Sequence, residues 1–152
     1  MNESFARLEL LSQQVHQAHR NAVAAELAAR GLSEVGHPVL LTILKAGTAQ
    51  RLAQRELAEL LHISPAAVAS SLKSLEKGGY IRREPEPDDA RRNRVQLTAK
   101  GWMAVADCEA AFQSVSERML AGFSEEEQGL LSTFRTRMLH NLRGSSPEKE
   151  ES

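Results

Sequence analysis

Residues 80–98 contain the strongest strand signals in a sequence that otherwise reads as helical. Two short, partly alternating runs, YIRRE at 80–84 and RVQLT at 94–98, are typical of strands. Three apolar residues are available to one face of these runs: Ile81, Val95 and Leu97. Between the runs, residues 84–89 include four acidic side chains and residues 91–94 include three arginines. The pattern predicts a β-hairpin with a long, charged tip.

The segment SPAAVASSLKSLEKGG at 64–79 comes directly before the hairpin and carries both ends of a helix. The Ser64 hydroxyl can accept a hydrogen bond from a free backbone N–H, and Pro65 at the first helical position gives up no hydrogen bond. Gly78 and Gly79 supply the stop, because glycine readily adopts the left-handed conformation that follows many helices.

The predicted helix has one apolar face and one small, polar and basic face. Val68, Leu72 and Leu75 point one way. The opposite face is formed by Ala66, Ser70, Lys73, Ser74 and Lys77, with Ala67 and Ser71 beside it. A shorter helix at 53–61 precedes it after a break of three or four residues, which predicts a helix-turn-helix. An ordinary pair of antiparallel helices with solvated serines would give the same pattern. The β-hairpin that follows these helices favours a winged helix, whose second helix fits the major groove of DNA.

Long helices are predicted on both sides of this region. At the N-terminus, an apolar stripe runs from residue 3 to residue 30 and ends at Gly31, and a second helix follows. Ser33 is one possible N-cap of this second helix. Because proline is poorly tolerated in a helix interior, the helix could instead begin at His37 or Pro38, and its end is predicted near Gly47.

After the hairpin, two more helices are predicted. Thr98 caps a helix that extends to about Gly122. Ser124 and Glu127 form a capping box for a last helix that ends near Leu142.

Composition and charge restrict the function. The 152 residues suit one compact unit, and the net charge of −1 conceals a net of +3 in residues 51–100. No glycine-rich phosphate loop, nucleophile elbow or paired-carboxylate context is present, so an enzyme is not expected, and no cofactor or metal is expected either.

With one cysteine and no signal or membrane-spanning segment, we expect a cytoplasmic protein without membrane contacts. The polar residues 144–152 are expected to form a disordered tail.

Residues 54–101 resemble the MarR-type (multiple antibiotic resistance regulator) winged helix-turn-helix transcription factors. The most specific matches to the family pattern are Asp89, Arg91, Leu97 and Thr98. The family often has Thr and Arg where this sequence has Ala67 and Ser70, which concerns the operator sequence and not the fold.

The resemblance implies a mainly α fold with a small β-hairpin wing (α+β), in which a winged helix-turn-helix is flanked by long dimerisation helices. The corresponding divisions are an N-terminal dimerisation helix at 1–31, the DNA-binding domain at 32–98, C-terminal dimerisation helices at 99–143 and the tail. The implied function is that of a homodimeric repressor that binds an inverted repeat in double-stranded DNA and is released by a small-molecule effector.

Side chains are assigned to these roles as hypotheses. The DNA-contacting set is Ser64, Pro65, Ala66, Ala67, Ser70, Ser71, Lys73, Ser74, Arg82, Arg83, Asp89, Arg91, Arg92 and Arg94. Within it, Arg91 is expected to enter the minor groove, with Asp89 orienting its guanidinium. An effector pocket is expected between the dimer helices and the winged helix, lined by His16, Arg20, His37 and Leu40.

Two alternative functions use other residues or partners. A metal- or redox-responsive regulator of the same fold would use His16, His19 and His37, or Cys108. Acidic neighbours and a packing helix favour a buried structural thiol for Cys108. A winged helix that contacts proteins in place of DNA is the second alternative.

Overall fold

The computed structural model describes the backbone of residues 2–86 and 89–144 and the side chains of residues 4–85 and 94–144. Its elements in chain order are α1 (Asn2–Ala29), α2 (Pro38–Ile43), a 3₁₀ turn (Ala49–Arg51), α3 (Gln54–Leu61), α4 (Pro65–Lys77), β1 (Ile81–Glu86), β2 (Asp89–Leu97), α5 (Ala99–Met119) and α6 (Glu125–Leu142). The predicted class, mainly helical with one small hairpin, is confirmed. The segment predicted as a disordered tail lies, beyond Gly144, outside the described residues.

The chain divides into two compact units, residues 1–115 and residues 116–152. The first unit contains α1 to α4, the hairpin and most of α5; the second contains the end of α5, followed by α6. One apolar core joins the helices and the hairpin of the first unit. Its buried members are Leu27, Leu32, Val35, Leu40, Leu41, Leu44, Leu57, Ala58, Val68, Leu72, Leu75, Ile81, Val95, Leu97, Ala104, Val105, Cys108 and Ala111.

The start of α2 confirms the later of the two predicted positions, but its predicted end is wrong. His37 is the N-cap and its ring nitrogen Nδ1 accepts a hydrogen bond from the Leu40 N–H at 3.1 Å. The helix ends at Ile43 and not near Gly47, because the backbone tightens into turns and the Gln50 side-chain amide donates to the Leu44 carbonyl at 3.0 Å. A side chain six residues away thus takes an acceptor that a further helical turn would have used.

The two strands are longer than the sequence predicts. β1 pairs with β2 in antiparallel register from Ile81 opposite Leu97 to Glu86 opposite Asp89, with an irregularity after Pro85. The residues assigned to a long tip therefore lie mostly within the strands. Pro85 lies within β1, which a two-stranded hairpin tolerates because both strands are edges, and the missing N–H of proline removes no pairing where it faces outward.

Caps predicted for the last two helices are confirmed. The Thr98 hydroxyl accepts from the Gly101 N–H at 3.0 Å at the start of α5, which ends at Met119, about one turn earlier than predicted. At the start of α6, the Ser124 hydroxyl accepts from the Glu127 N–H, and the Glu127 carboxylate accepts from the Ser124 N–H. The backbone N–H of Ser124 first, and then its hydroxyl, stabilise the charged Glu127 carboxylate and lower its pKa.

Large apolar side chains remain exposed along the first turns of α1 and along α6. In α1 they are Phe5, Leu8, Leu10, Leu11 and Val15; in α6 they are Leu130, Phe134, Met138, Leu139 and Leu142. α6 has no buried residue among those described. In the part of the chain that the structure describes, no helix is both long and apolar enough to cross a membrane.

Candidate functional site

Helices α3 and α4 form a helix-turn-helix with a tight, well-capped turn. His62 adopts a left-handed conformation with φ of 59°, and the Ile63 N–H donates to the Ala58 carbonyl at 3.1 Å. Ser64 then caps α4, its hydroxyl accepting from the Ala67 N–H at 3.1 Å. The serine–proline start signal is therefore confirmed, and the turn fixes where α4, which we call the recognition helix, begins.

The two faces of the recognition helix match the helical-wheel prediction. Val68, Leu72 and Leu75 are at most 1% exposed and pack into the core. The exposed residues are Ser64, Pro65, Ala66, Ser70, Lys73, Ser74, Glu76 and Lys77, and Ala67 and Ser71 are half-buried beside them. Glu76 lies at the edge of this face, on the side of Arg83 of β1. The outer face thus carries short side chains and lysines, so another molecule can approach the helix backbone closely.

The end of the recognition helix is bound to the start of α5. The Thr98 hydroxyl donates to the Gly79 carbonyl at 2.6 Å, and the Thr98 N–H donates to the Tyr80 carbonyl at 3.0 Å. The Lys100 ammonium donates to the Gly78 carbonyl at 2.6 Å and lies 4.6 Å from the centre of the Tyr80 ring. A cation is favourable at a helix C-terminus, so Lys100 stabilises the point at which the chain leaves α4 and enters the hairpin.

The hairpin formed by β1 and β2, which we call the wing, places its arginines in different environments. Arg82 is exposed and donates to the Gln96 side chain at 3.2 Å. Arg83 is only 19% exposed and points to Glu76 of the recognition helix, with 3.9 Å between Nε and Oε2. That distance is an ion pair and not a hydrogen bond. Arg83 therefore links the wing to α4, whereas the sequence placed it with the outer arginines.

The other wing residues assigned to DNA contact are described only in part. Arg94 is half-buried and lies opposite Glu84 in the strand register. The backbones of Asp89, Arg91 and Arg92 lie in β2. Their side chains are outside the described residues, so their roles remain predictions.

A cleft of about 900 Å³ lies in the first unit between α1, the α1–α2 loop and the helix-turn-helix. Its lining is His16, His19, Arg20, Val23, Ala24, Leu27, Leu32, Ser33, Val35, Gly36, His37, Pro38, Val39, Ile63 and Phe112. Three of the four residues predicted for an effector pocket, His16, Arg20 and His37, are therefore brought together. The lining includes no Asp or Glu, so the cleft combines apolar walls with hydrogen-bond donors and a positive charge.

Leu40, the fourth predicted pocket residue, is fully buried in the core and does not line the cleft. It lies on the inner side of α2, because the pattern of that helix turns Leu40 and Leu41 inward. The neighbouring His37 uses Nδ1 to accept from the Leu40 N–H, which places the proton of the neutral ring on Nε2. His37 thus presents a donor and not a free lone pair.

The residues of the sensing alternative do not form a sensing centre among the described residues. No group of three or more His, Cys, Asp or Glu there has a geometry that could hold a metal ion. Cys108 is fully buried, and burial, followed by the charges of Asp107 and Glu109, raises the pKa of its thiol. A raised pKa lowers the thiolate fraction, which agrees with a structural role.

Sequence reasoning missed four residues with positions of interest. Ile63 and Phe112 line the cleft, and they are distant in sequence from His16 and His37, so spacing along the chain gave no signal. Gly36 also lines the cleft, and Lys100 donates a hydrogen bond to the C-terminal end of the recognition helix. Only Lys100 had a detectable signal, namely a lysine two residues after a helix-capping threonine.

A helix-turn-helix followed directly by a two-stranded hairpin defines a winged-helix protein. The sequence profile described as the MarR family matches residues 30–92. An uncharacterised HTH-type transcriptional regulator of Bacillus subtilis, YdgJ, is 34% identical over 103 residues, which cover 68% of this chain and 62% of YdgJ. The transcriptional regulator HosA of Escherichia coli O111:H- is 37% identical over 75 residues, covering 49% of this chain and 56% of HosA.

Solved structures give the same result over most of the chain. The transcriptional regulator PA3341 has a TM-score of 0.69 and 30% identity, covering 90% of this chain and 98% of its own. The DNA complex of MepR from S. aureus has a TM-score of 0.72 at 24% identity, covering 88% of this chain and 94% of that one, which shows the fold. The chain belongs to the MarR family. It spans about 62, 52 and 56% of the length of the first three curated relatives it matches.

Proposed function

We propose that the protein is a homodimeric transcriptional repressor that binds an inverted-repeat operator and is released by a small molecule. The observation that carries the DNA-binding part is the outer face of α4, which is exposed, small and basic, and which begins at a capped turn. In this proposal residues 32–98 bind DNA, while residues 1–31 and 99–143 form the dimer.

The recognition helix would lie in the major groove. Short side chains such as Ala66 and Ser70 allow the helix backbone to come close to the base edges, while Lys73 neutralises a phosphate. None of the outer residues of α4 can make the bidentate arginine–guanine pair, so specificity would depend partly on groove shape.

The wing would lie along the adjacent minor groove. Arg82, exposed on β1, is available to phosphates, whereas Arg83 serves to hold the wing against Glu76 of α4. Arg91 remains the residue proposed for the minor groove, where negative potential is concentrated.

Dimerisation is supported by exposed apolar side chains on α1 and, independently, on α6. Leu8 and Leu11 on α1, and Phe134 and Met138 on α6, are between 45% and 61% exposed, and they recur at helical spacing. Contiguous exposed apolar surface of this kind marks an interaction site. A second copy of the chain would cover both faces in an isologous interface and place two recognition helices about 34 Å apart.

The cleft would hold the effector. Its apolar walls suit an apolar body, and Arg20 with the Nε2–H of His37 suits an anionic or strongly accepting group. A matched pair of ligands tests this, an aromatic carboxylate and its uncharged amide. Release of operator by the carboxylate but not the amide, with the response lost in Arg20→Ala, is expected; equal release by both contradicts the anionic class.

DNA binding is tested by anisotropy of a labelled duplex at several salt concentrations. Binding should fall steeply with salt, and Lys73→Ala should reduce the slope by about 1, as expected for one lost phosphate contact. Lys45→Ala is the control, because Lys45 is a surface lysine engaged by Glu109 at 3.0 Å. If the wild-type protein binds no duplex at low salt, the proposal is wrong, whereas duplex binding that falls steeply with salt excludes a winged helix that contacts only proteins.

A further inference from the structure

Three successive backbone carbonyls join the end of the recognition helix to the start of α5. The first, that of Gly78, accepts from the Lys100 ammonium at 2.6 Å. The next two, those of Gly79 and Tyr80, accept from the Thr98 hydroxyl at 2.6 Å and from its N–H at 3.0 Å. The acceptors lie directly before β1 and the donors directly after β2, so both ends of the wing are attached at one place.

Lys100 is the donor in this set that carries a charge. Its ammonium lies 4.6 Å from the centre of the Tyr80 ring, and its Cδ would be 3.8 Å from a Cβ built on Gly79. A cation is favourable at a helix C-terminus, and a charge-assisted hydrogen bond is stronger than a neutral one. The side chain is exposed, yet its charge is directed at the backbone of the protein itself.

The angle of the wing at this base determines where its tip lies. β1 is six residues long, about 20 Å, so a rotation of about 10° at its base moves the tip by about 3 Å, the length of a hydrogen bond. The other contact between the wing and α4 joins Arg83 to Glu76, with 3.9 Å between Nε and Oε2. An ion pair at that distance is less directional than the short hydrogen bond from Lys100, so the bond from Lys100 restricts the angle more.

We propose that Lys100 is a positioning residue for DNA binding, which holds the wing at a fixed angle to the recognition helix. It acts through the Gly78 carbonyl and the Tyr80 ring and does not itself bind a phosphate. Two reading elements that are held at a fixed angle before binding lose less conformational freedom on binding. The inference rests on the proposed placement of the wing along the minor groove, and it adds the residue that sets this placement.

Substitutions of Lys100 in the full chain separate positioning from phosphate contact. The probe is the duplex that the wild type enriches from a random library, and a scrambled duplex measures non-specific binding. Lys100→Met keeps a long side chain without charge or donors, whereas Lys100→Arg keeps both. Lys73→Met is the reference for a lysine at a phosphate, and Lys45→Met is the control for a surface charge engaged elsewhere, by Glu109.

Lys100→Met should bind the selected duplex about tenfold more weakly than Lys45→Met, with an unchanged slope of log K against log salt concentration. Binding to the scrambled duplex should change little, and Lys100→Arg should recover most of the affinity. In Lys73→Met the slope should fall by about 1. A slope that falls by about 1 in Lys100→Met, with equal losses on both duplexes, would overturn the inference, because Lys100 would then be a phosphate contact.

A double-mutant cycle separates placement of the wing from a general loss of stability. Arg91→Ala, which removes the side chain proposed for the minor groove, should cost less affinity in Lys100→Met than in the wild type, a non-additive result. Its effect should add to that of Lys73→Met. Additivity with Lys100→Met as well, no loss from Arg91→Ala in the wild type, or a lowered Tm with unchanged affinity would each overturn the inference.

Binding is measured at a temperature at which every variant is folded. Should Lys100→Met fail to fold, Lys100→Gln takes its place; it keeps a neutral donor, so its loss of affinity should be smaller but equally non-additive with Arg91→Ala. If the wild type enriches no duplex, the proposed function fails, whereas enrichment by the wild type with additive effects of Lys100 contradicts this inference alone.

Discussion

Replacing Gly101 with alanine tests whether the junction between the recognition helix and α5 is as close as the structure has it. Gly101 is buried in the first turn of α5, and a Cβ built on it would lie 2.0 Å from the Tyr80 carbonyl oxygen and 3.1 Å from the carbonyl carbon. Since the obstacle is backbone and not the end of a flexible side chain, α5 and the start of the wing must move apart.

The expected magnitude follows from the bonds at this junction. Separation disturbs three hydrogen bonds, from the Thr98 N–H to the Tyr80 carbonyl, from the Thr98 hydroxyl to the Gly79 carbonyl and from the Gly101 N–H to the Thr98 hydroxyl. At about 1 kcal/mol each, their loss lowers the free energy of unfolding by about 3 kcal/mol. Alanine offsets up to about 1 kcal/mol through its higher helix propensity, which leaves a net destabilisation of about 2 kcal/mol.

Thermal unfolding at one fixed protein concentration measures this effect. A net loss of about 2 kcal/mol lowers Tm by about 4–8 °C in a chain of this size. Gly129→Ala is the matched control, because Gly129 lies in α6 with no atom within 4 Å of a built Cβ, so alanine should raise Tm or leave it unchanged. Operator affinity should fall in Gly101→Ala only, as the wing is displaced. Equal Tm values for the two variants would refute the reasoning.

Four further results are expected. In the wing, Asp89→Ala should weaken operator binding if Asp89 orients Arg91, whereas simple repulsion from DNA predicts tighter binding; Arg91→Ala should weaken it more than Arg82→Ala, and near-equal small effects would remove the wing from the mechanism. Peroxide should leave the operator affinity of the wild type and of Cys108→Ser equally unchanged, because the buried thiol has a raised pKa; a loss confined to the wild type would indicate redox sensing. The pKa of Glu127 is lower in the folded state than in the unfolded state. The charged carboxylate therefore stabilises α6 fully at pH values above the ordinary pKa of a glutamate, and this stability is lost as the pH falls through the lowered pKa. Glu127→Gln should flatten that part of a curve of stability against pH, and an unchanged curve would contradict the capping role.

Local signals predicted the helix ends that depend on neighbouring residues. The caps at Ser64, Thr98 and Ser124 all use a hydroxyl and an N–H three residues on, so the sequence contains both partners. The end of α2 depends instead on the Gln50 side chain, and the length of the wing depends on pairing across the hairpin. Neither the Gln50 side chain nor the opposite strand can be recognised as a partner from a few neighbouring residues.

The candidate site divides in the same way. The outward face of the recognition helix follows from helical periodicity, and the structure agrees with it residue by residue. The inward turn of Arg83 had a signal in strand alternation, because Arg83 is two residues after Ile81 and shares its face. Its pairing with Glu76 had none, since Glu76 belongs to another element. The walls of the cleft required the fold itself, since Val23, Ile63 and Phe112 come from three distant segments.

Selection of bound duplexes from a random library tests the central claim most directly. A dimer with one recognition helix per subunit predicts an inverted repeat whose half-sites are about 10 base pairs, one helical turn, apart from centre to centre. The enriched duplex should lose affinity when either half-site is scrambled. Enrichment of a single unrepeated site, or no enrichment at low salt, would contradict a dimeric operator-binding regulator.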